Sequence, residues 1–396
     1  FAVLLRSSLG FNGAKFFGLL RSLVGIFLFG IQTYFLSKLV VYLIRILLFS
    51  IDNTLLDQEI FLTFLLGLNL IDWFSIIVVI IFQTMLFSIG IQYNKKLINY
   101  SAIIVYVGMV IFFLTVFLSD VKTTTQAFSN ILNFENLLNK NNILPLLTVA
   151  GTIFAYFSII IVSFGDFSRY VKNKEDLNKG NLSLILNLII FSFFSIAIVV
   201  GSDVFLNQKF QDMDRIFTNP TDIIGKFNNL QITIVVLFFI IIASASTNLV
   251  ANYIPSQYSL INFLPNKLNL KSSSYTISIL GLIVGIFWLT VLSQIGVLSF
   301  IDTFSCFFGP LFGVIIADYY LIKNQTLSNK DLYSVETQSI YYYSRGWHIK
   351  GTYSIILGFI FSASTIWNGN LMFLQSYAWI IGAFISWVTY YLLAKK

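Results

Sequence analysis

A run of about 20 consecutive apolar residues leaves a chain few options, because in a bilayer the backbone can close its hydrogen bonds only within a helix or around a closed barrel. Ten such runs follow one another here, at roughly 17–43, 70–91, 99–119, 143–164, 183–206, 231–251, 275–294, 296–322, 352–369 and 373–394. The chain of 396 residues is 57% hydrophobic and 10% charged, against about 25% charged in soluble domains. Each run is too long for a strand of a membrane barrel. The sequence therefore predicts an all-α polytopic bundle, one domain over 1–396, with lipid as its surroundings and no soluble domain left over.

The net charge of +7 is spread over many short connections. It forms neither the patch nor the tail that nucleic acid requires, so no nucleic-acid partner is expected. Topology explains the charges better. If the first run leaves the cytoplasm, then Arg6, Lys15, Arg21, Lys95, Lys96, Arg169, Lys172, Lys174, Lys179 and the later group from Lys267 to Lys396 fall inside. Only Arg45, Lys122, Lys140, Lys209, Arg215 and Lys226 fall outside, which places the C-terminus in the cytoplasm and the protein in the plasma (inner) membrane. A single cysteine, Cys306, excludes an internal disulfide, and the single histidine, His348, has no ligand residues near it in sequence. Metal and triad chemistry have no residues to work with, so an enzyme is not expected. The chain opens at Phe1 without an initiator Met, on what reads as a helix approach, and its start is expected to be missing.

Around 130–138 and 222–230 polar and apolar residues alternate at near-helical spacing, as in short amphipathic helices lying on a bundle. The segments carrying Glu135, Asp212 and Asp214 read as solvated loops. Within the runs, Gln32, Lys38, Gln83 and Asp302 break the apolar pattern, and Pro145 with Gly151 invites a broken helix in the fourth. Lys38, near the end of its run, is expected to snorkel. The densest exception closes the sixth run: Ala243-Ser-Ala-Ser-Thr-Asn-Leu-Val-Ala-Asn252. Polar side chains at membrane depth are costly unless they bind something or bridge helices, and Ser246, Thr247, Asn248 and Asn252 together read as a binding site.

Three further segments accompany that cluster: Phe29-Gly-Ile-Gln-Thr33, Phe164-Gly-Asp-Phe-Ser-Arg-Tyr170 and Gly309-Pro-Leu-Phe-Gly-Val-Ile-Ile-Ala-Asp-Tyr-Tyr-Leu321. In this order, each at its own end of a run, they resemble the nucleobase:cation symporter-1 family, and the likeness extends from Phe1 to about Tyr333. The resemblance implies a LeuT-type fold, in which ten of twelve helices form two inverted five-helix repeats with helices one and six broken. Registered on the motifs, the first run matches family helix three, so the ten runs correspond to helices three to twelve. The repeat core would then occupy 1–322, with two accessory helices over 352–394.

The resemblance also assigns residues. Gln32 and Asn252 match the pair that hydrogen-bonds the amide edge of a planar heterocycle, a role suited to a carboxamide, which offers a donor and an acceptor. Ser246 and Thr247, with the carbonyl of Ala243, match half of the family's sodium site. Where the family commonly stacks two tryptophans on the ring, this sequence has Leu28 and Phe157, which allows a smaller or less aromatic ligand. Asp302 is a candidate for cation or proton coupling, with a hydrogen-bonded structural acid as the favoured reading. Asp166 and Arg169, three residues apart, are expected to pair as a gating element. The resulting expectation is a monomeric secondary transporter importing a nucleobase or related ureide with sodium, with no organic cofactor. A proton-coupled or amino-acid symporter of the same fold, and a non-transporting receptor or scaffold, are the alternatives.

Overall fold

The computed structural model describes residues 1–396 apart from 53, 90, 132–138, 210–222, 227–228 and 396. Glu135, Asp212, Asp214 and Arg215 lie outside the described residues, as do most of the first amphipathic segment expected from the sequence and part of the second. Among the described residues, ten helical segments are long and apolar enough to cross a membrane. The helices used below are α1 (Leu5–Ile51), α2 (Leu70–Ser88), α3 (Ile91–Phe117), α4 (Lys140–Val162), α5 (Lys174–Lys209), α6 (Leu230–Thr247), α7 (Ile254–Phe263), α8 (Leu270–Phe287), α9 (Val297–Ile316), α10 (Ile349–Trp367) and α11 (Ala378–Ala394). A π-helical turn, Asn248–Tyr253, joins α6 to α7, and similar turns close α8 and α9 at Trp288–Leu292 and Ala317–Ile322.

Asparagine starts four of these helices. Asn69, Asn139, Asn229 and Asn269 each accept a hydrogen bond from a backbone N–H of the first turn. At Asn69 and Asn269 the bond is reciprocated as a capping box. Asp72, the third residue of the first box, also receives Lys38 at 2.8 Å. Lys38 therefore does not snorkel to the surface as expected; it ties α1 to the start of α2.

At about 1.5 Å per residue, the 47 residues of α1 measure roughly 70 Å, more than twice the apolar thickness of a bilayer. Gly10 divides a short foot, Leu5–Leu9, from the rest with φ of 80°. A side chain at Gly10 would be strained in this conformation and would also meet the Gly346 carbonyl. Both sides of this kink are stitched to the turn before α10, by Asn12 N–H to the Gly346 carbonyl at 2.7 Å and His348 N–H to the Leu9 carbonyl at 2.8 Å. Higher up, α1 touches α2, α6, α7 and α8 and is the central post of this half of the bundle. At Gly30 it comes so close to α8 that a Cβ would stand 2.5 Å from the carbonyl of Gly281. In the other half α9, α10 and α11 pack on one another.

The fourth run is one continuous helix, so the break expected at Pro145 and Gly151 does not occur there. Pro145 sits near the start of α4 and forfeits one backbone hydrogen bond, too little to open the helix. Gly151 serves packing instead: a Cβ there would stand 2.2 Å from the carbonyl of Ser376.

Candidate functional site

A cavity of about 210 Å³ lies between α1, α4, the π-helical turn and the start of α9. Its walls are mainly apolar, from residues such as Leu28, Phe35, Tyr156 and Ile301, with Gln32 and Asn252 as its carboxamides. The sequence thus placed Leu28, Gln32 and Asn252 together, and the fold brings them together. Phe157 does not join them. The helix presents its neighbour Tyr156 to the cavity, and the Phe157 ring meets Tyr156 edge-on, with centroids 5.4 Å apart. The aromatic wall is therefore Tyr156, a correction of one helical position.

The carboxamides belong to a chain of hydrogen bonds. Asn252 Nδ2 donates to Gln32 Oε1 at 2.8 Å and to Asn248 Oδ1 at 3.0 Å, while Gln32 Nε2 donates to the Ser244 carbonyl at 3.2 Å. Asn248 Nδ2 donates to the Phe29 carbonyl at 3.3 Å and to Thr33 Oγ1 at 3.2 Å; the Thr33 hydroxyl donates to Gln83 Oε1 at 2.9 Å. Asn248 and Asn252, four residues apart, share one face of the π-helical turn, a kind of turn frequent at functional sites.

One turn earlier, the Ser246 hydroxyl donates to the Ala243 carbonyl at 3.0 Å. Thr247 is exposed, and its hydroxyl makes no hydrogen bond among the described residues, whereas Thr84, Thr115 and Thr148 each bond the carbonyl four residues back. Three hard oxygens thus sit within one turn, and one of them is unspent. That set suits an alkali cation, given further oxygens from elsewhere.

The charged candidates fare differently. Asp302 is buried, accepts from Gln375 Nε2 at 2.7 Å, and is not part of the cavity wall, although Ile301 beside it is. Asp166 and Arg169 do not pair. Asp166 is buried, and Arg169 donates to the Tyr170 hydroxyl at 2.8 Å while its guanidinium lies over the Tyr258 ring. Three-residue spacing fails here because the helix Gly165–Ser168 ends before Arg169, which caps it. A residue read only as a topology marker proves fully buried: Arg21 donates to Ser163 Oγ at 2.8 Å and to the Ala251 carbonyl at 3.0 Å. The sequence signal was Gly25, one turn on, where a Cβ would stand 2.6 Å from the guanidinium.

A second cavity, of about 330 Å³, lies between α3, α5 and α6 and is lined by residues such as Val105, Phe112, Phe191 and Phe239. It lacks convergent polar groups, so it cannot orient a polar ring, and the smaller cavity is the candidate site.

Comparison with known proteins shows the family and the fold. Residues 1–382 match the family described as permease for cytosine/purines, uracil, thiamine, allantoin. The chain is 25% identical over 412 residues to the purine-uracil permease NCS1 of Arabidopsis thaliana, covering 100% of this chain and 65% of that protein. It is 27% identical over 244 residues to the allantoin permease of Bacillus subtilis, covering 61% of this chain and 48% of that protein. It thus spans less than two thirds of the length of either relative. Among solved structures, Mhp1, a nucleobase-cation-symport-1 family transporter in a closed conformation with bromovinylhydantoin bound, superposes with a TM-score of 0.71 at 19% identity, covering 100% of this chain and 78% of that one. The inward-facing conformation of Mhp1 gives a TM-score of 0.61. The fold is therefore the LeuT-type bundle, and the chain belongs to the nucleobase:cation symporter-1 family of permeases for cytosine, purines, uracil, thiamine and allantoin.

Proposed function

We propose that the protein imports a small planar heterocycle rich in amide groups, a nucleobase, hydantoin or related ureide, together with sodium. It works by alternating access around the cavity, as a single chain in the plasma membrane with its C-terminus in the cytoplasm. The observation that carries this reading is the pairing of Gln32 and Asn252 in a cavity otherwise walled largely by apolar side chains. Two carboxamides offer both donors and acceptors, which match the alternating N–H and C=O groups of such rings. The cavity, at about 210 Å³, is below the roughly 300–1,000 Å³ typical of drug-sized ligand sites and fits a single ring. Relatives named for purine, uracil, allantoin and hydantoin transport support the same class.

In this reading Leu28 and Tyr156 flank the ring, and Gln32 and Asn252 hydrogen-bond its edge. The Ala243 carbonyl with the Ser246 and Thr247 hydroxyls would supply part of a sodium coordination shell one turn away on the same helix. Uptake in the full-length protein tests both halves. Asn252→Ala should weaken competition by uracil, allantoin or hydantoin about 5- to 150-fold, since an unpaired amide edge costs about 1–3 kcal/mol. Thr247→Ala should raise the sodium concentration for half-maximal uptake. Equal competition by all three rings in wild type and Asn252→Ala would remove the substrate site from this cavity; unchanged sodium dependence in both Thr247→Ala and Ser246→Ala would remove the cation from α6.

A further inference from the structure

The hydrogen-bond chain behind the cavity has a direction. Thr33 has one hydroxyl proton, and it goes to Gln83 Oε1; its lone pairs are thereby turned toward Asn248 Nδ2. The Phe29 carbonyl takes the other Asn248 N–H, so Asn248 must present its oxygen to Asn252. Asn252 answers with one N–H and gives the other to Gln32 Oε1. Both Asn252 donors are spent, and its Oδ1, which takes no hydrogen bond among the described residues, is left for the cavity. Beside it, Gln32 Nε2 has given one N–H to the Ser244 carbonyl and keeps the second.

Thr33, Gln83 and Asn248 are each at most 1% exposed, and none lines the cavity. Their amide and hydroxyl groups are costly at this depth, and Gln83 Nε2 has no partner among the described residues. Apolar side chains of the same shape would pack the α1–α2–π-turn junction without that penalty.

Resting on the transport reading above, we propose that Gln83, Thr33 and Asn248 act as positioning residues that fix the polarity with which Asn252 meets its ligand. The cavity then shows an acceptor, Asn252 Oδ1, beside a donor, Gln32 Nε2. The complement is a ring N–H adjacent to a ring carbonyl, the pattern of cyclic imides and ureides. Rings whose nitrogens carry no hydrogen are rejected because Asn252 cannot turn over to donate.

Competition with uracil and hydantoin against their N,N′-dimethyl derivatives reads this directly, because methylation removes the N–H groups and keeps the carbonyls. Wild type should prefer the unmethylated rings. Thr33→Val, which keeps the shape and loses the hydroxyl, leaves Asn248 held by the Phe29 carbonyl alone, at 3.3 Å the longest bond of the chain, and Gln83→Leu frees the Thr33 proton to turn toward Asn248; both should shrink that preference by about 5-fold or more. Thr33→Ser should restore it. A preference unchanged in Thr33→Val, or affinities for both rings falling in proportion, would reduce the chain to packing and overturn the proposal.

Should no ring compete at all, the transport reading fails, and the chain is still judged without ligand by thermal unfolding of Thr33→Val, Asn252→Ala and the double variant. Thr33 and Asn252 share no direct hydrogen bond, so independent residues would give additive shifts. A relay gives a double variant clearly more stable than the sum of the two losses, and additivity overturns it.

Discussion

A helix turns about 100° between neighbouring residues, so an error of one position exchanges a wall of a cavity for a residue beside it. Tyr156 and Phe157 illustrate this. Both are aromatic and one residue apart, yet only Tyr156 lines the cavity. Stacking on a ring adds about 0.5–1.5 kcal/mol beyond area burial, so Tyr156→Leu should weaken flat-ring competitors about 2- to 12-fold. Phe157→Leu should change them little. A competition series in which Phe157→Leu has the larger effect would mean that the substrate-bound helix is rotated by one position. Leu28, Gln32 and Asn252 were legible because each is anomalous for its place or sits in a recognisable motif. The amide chain was only partly legible. Asn248 belongs to the polar run and Gln83 interrupts an apolar one, but nothing local says that they meet through Thr33, because the contact joins three elements far apart in sequence.

At the scale of elements, the ten spans were readable from apolar length alone, since no alternative structure accommodates such runs. What length could not reveal is how closely they approach. Gly30 of α1 stands against the backbone of Gly281 in α8, where a side chain has no room. Gly30→Val should lower stability by about 1–3 kcal/mol through overpacking, read as a drop in the thermal unfolding midpoint of the purified protein. An unchanged midpoint would mean that α1 and α8 separate freely. The continuous α4 shows the limit of residue-type reasoning. Proline and glycine weaken a helix, but whether it breaks depends on where the lost hydrogen bond falls and what packs outside. Pro145 lies near an end, and Gly151 is needed for the approach of Ser376. Arg21 misled for a related reason: a cation near the end of a run reads as exposed until Gly25, Ser163 and the Ala251 carbonyl are seen to enclose it.

Across the molecule, the far ends of the chain are joined by a polar clasp. Asp318, at the close of α9, accepts from Tyr390 Oη at 2.6 Å, from Lys323 Nζ at 2.6 Å and from Ser7 Oγ at 3.2 Å. His348 lies against it, its ring stacked on Tyr343 with centroids 4.1 Å apart and its Nδ1 2.9 Å from the Ser8 carbonyl. Burial pushes the imidazole pKa below its usual 6.5, with the carboxylate of Asp318 opposing that shift and the cations of Lys323 and Lys350 reinforcing it. The unfolded chain therefore takes up a proton first as pH falls. Stability from the neutral imidazole is intact above about pH 6.5 and declines through the more acidic range. The unfolding midpoint should drop between pH 7.5 and 5 in wild type, and drop less in His348→Phe, which keeps the stack without the proton. Identical slopes would show that the clasp is indifferent to that charge. The amide chain has a consequence of another kind at this scale. A polar hollow at membrane depth invites water, and a file of water conducts protons. If the protein transports as proposed, the closing of Gln32 and Asn252 on each other would offer water fewer unmet partners in the empty protein and would help keep the membrane insulating between cargoes.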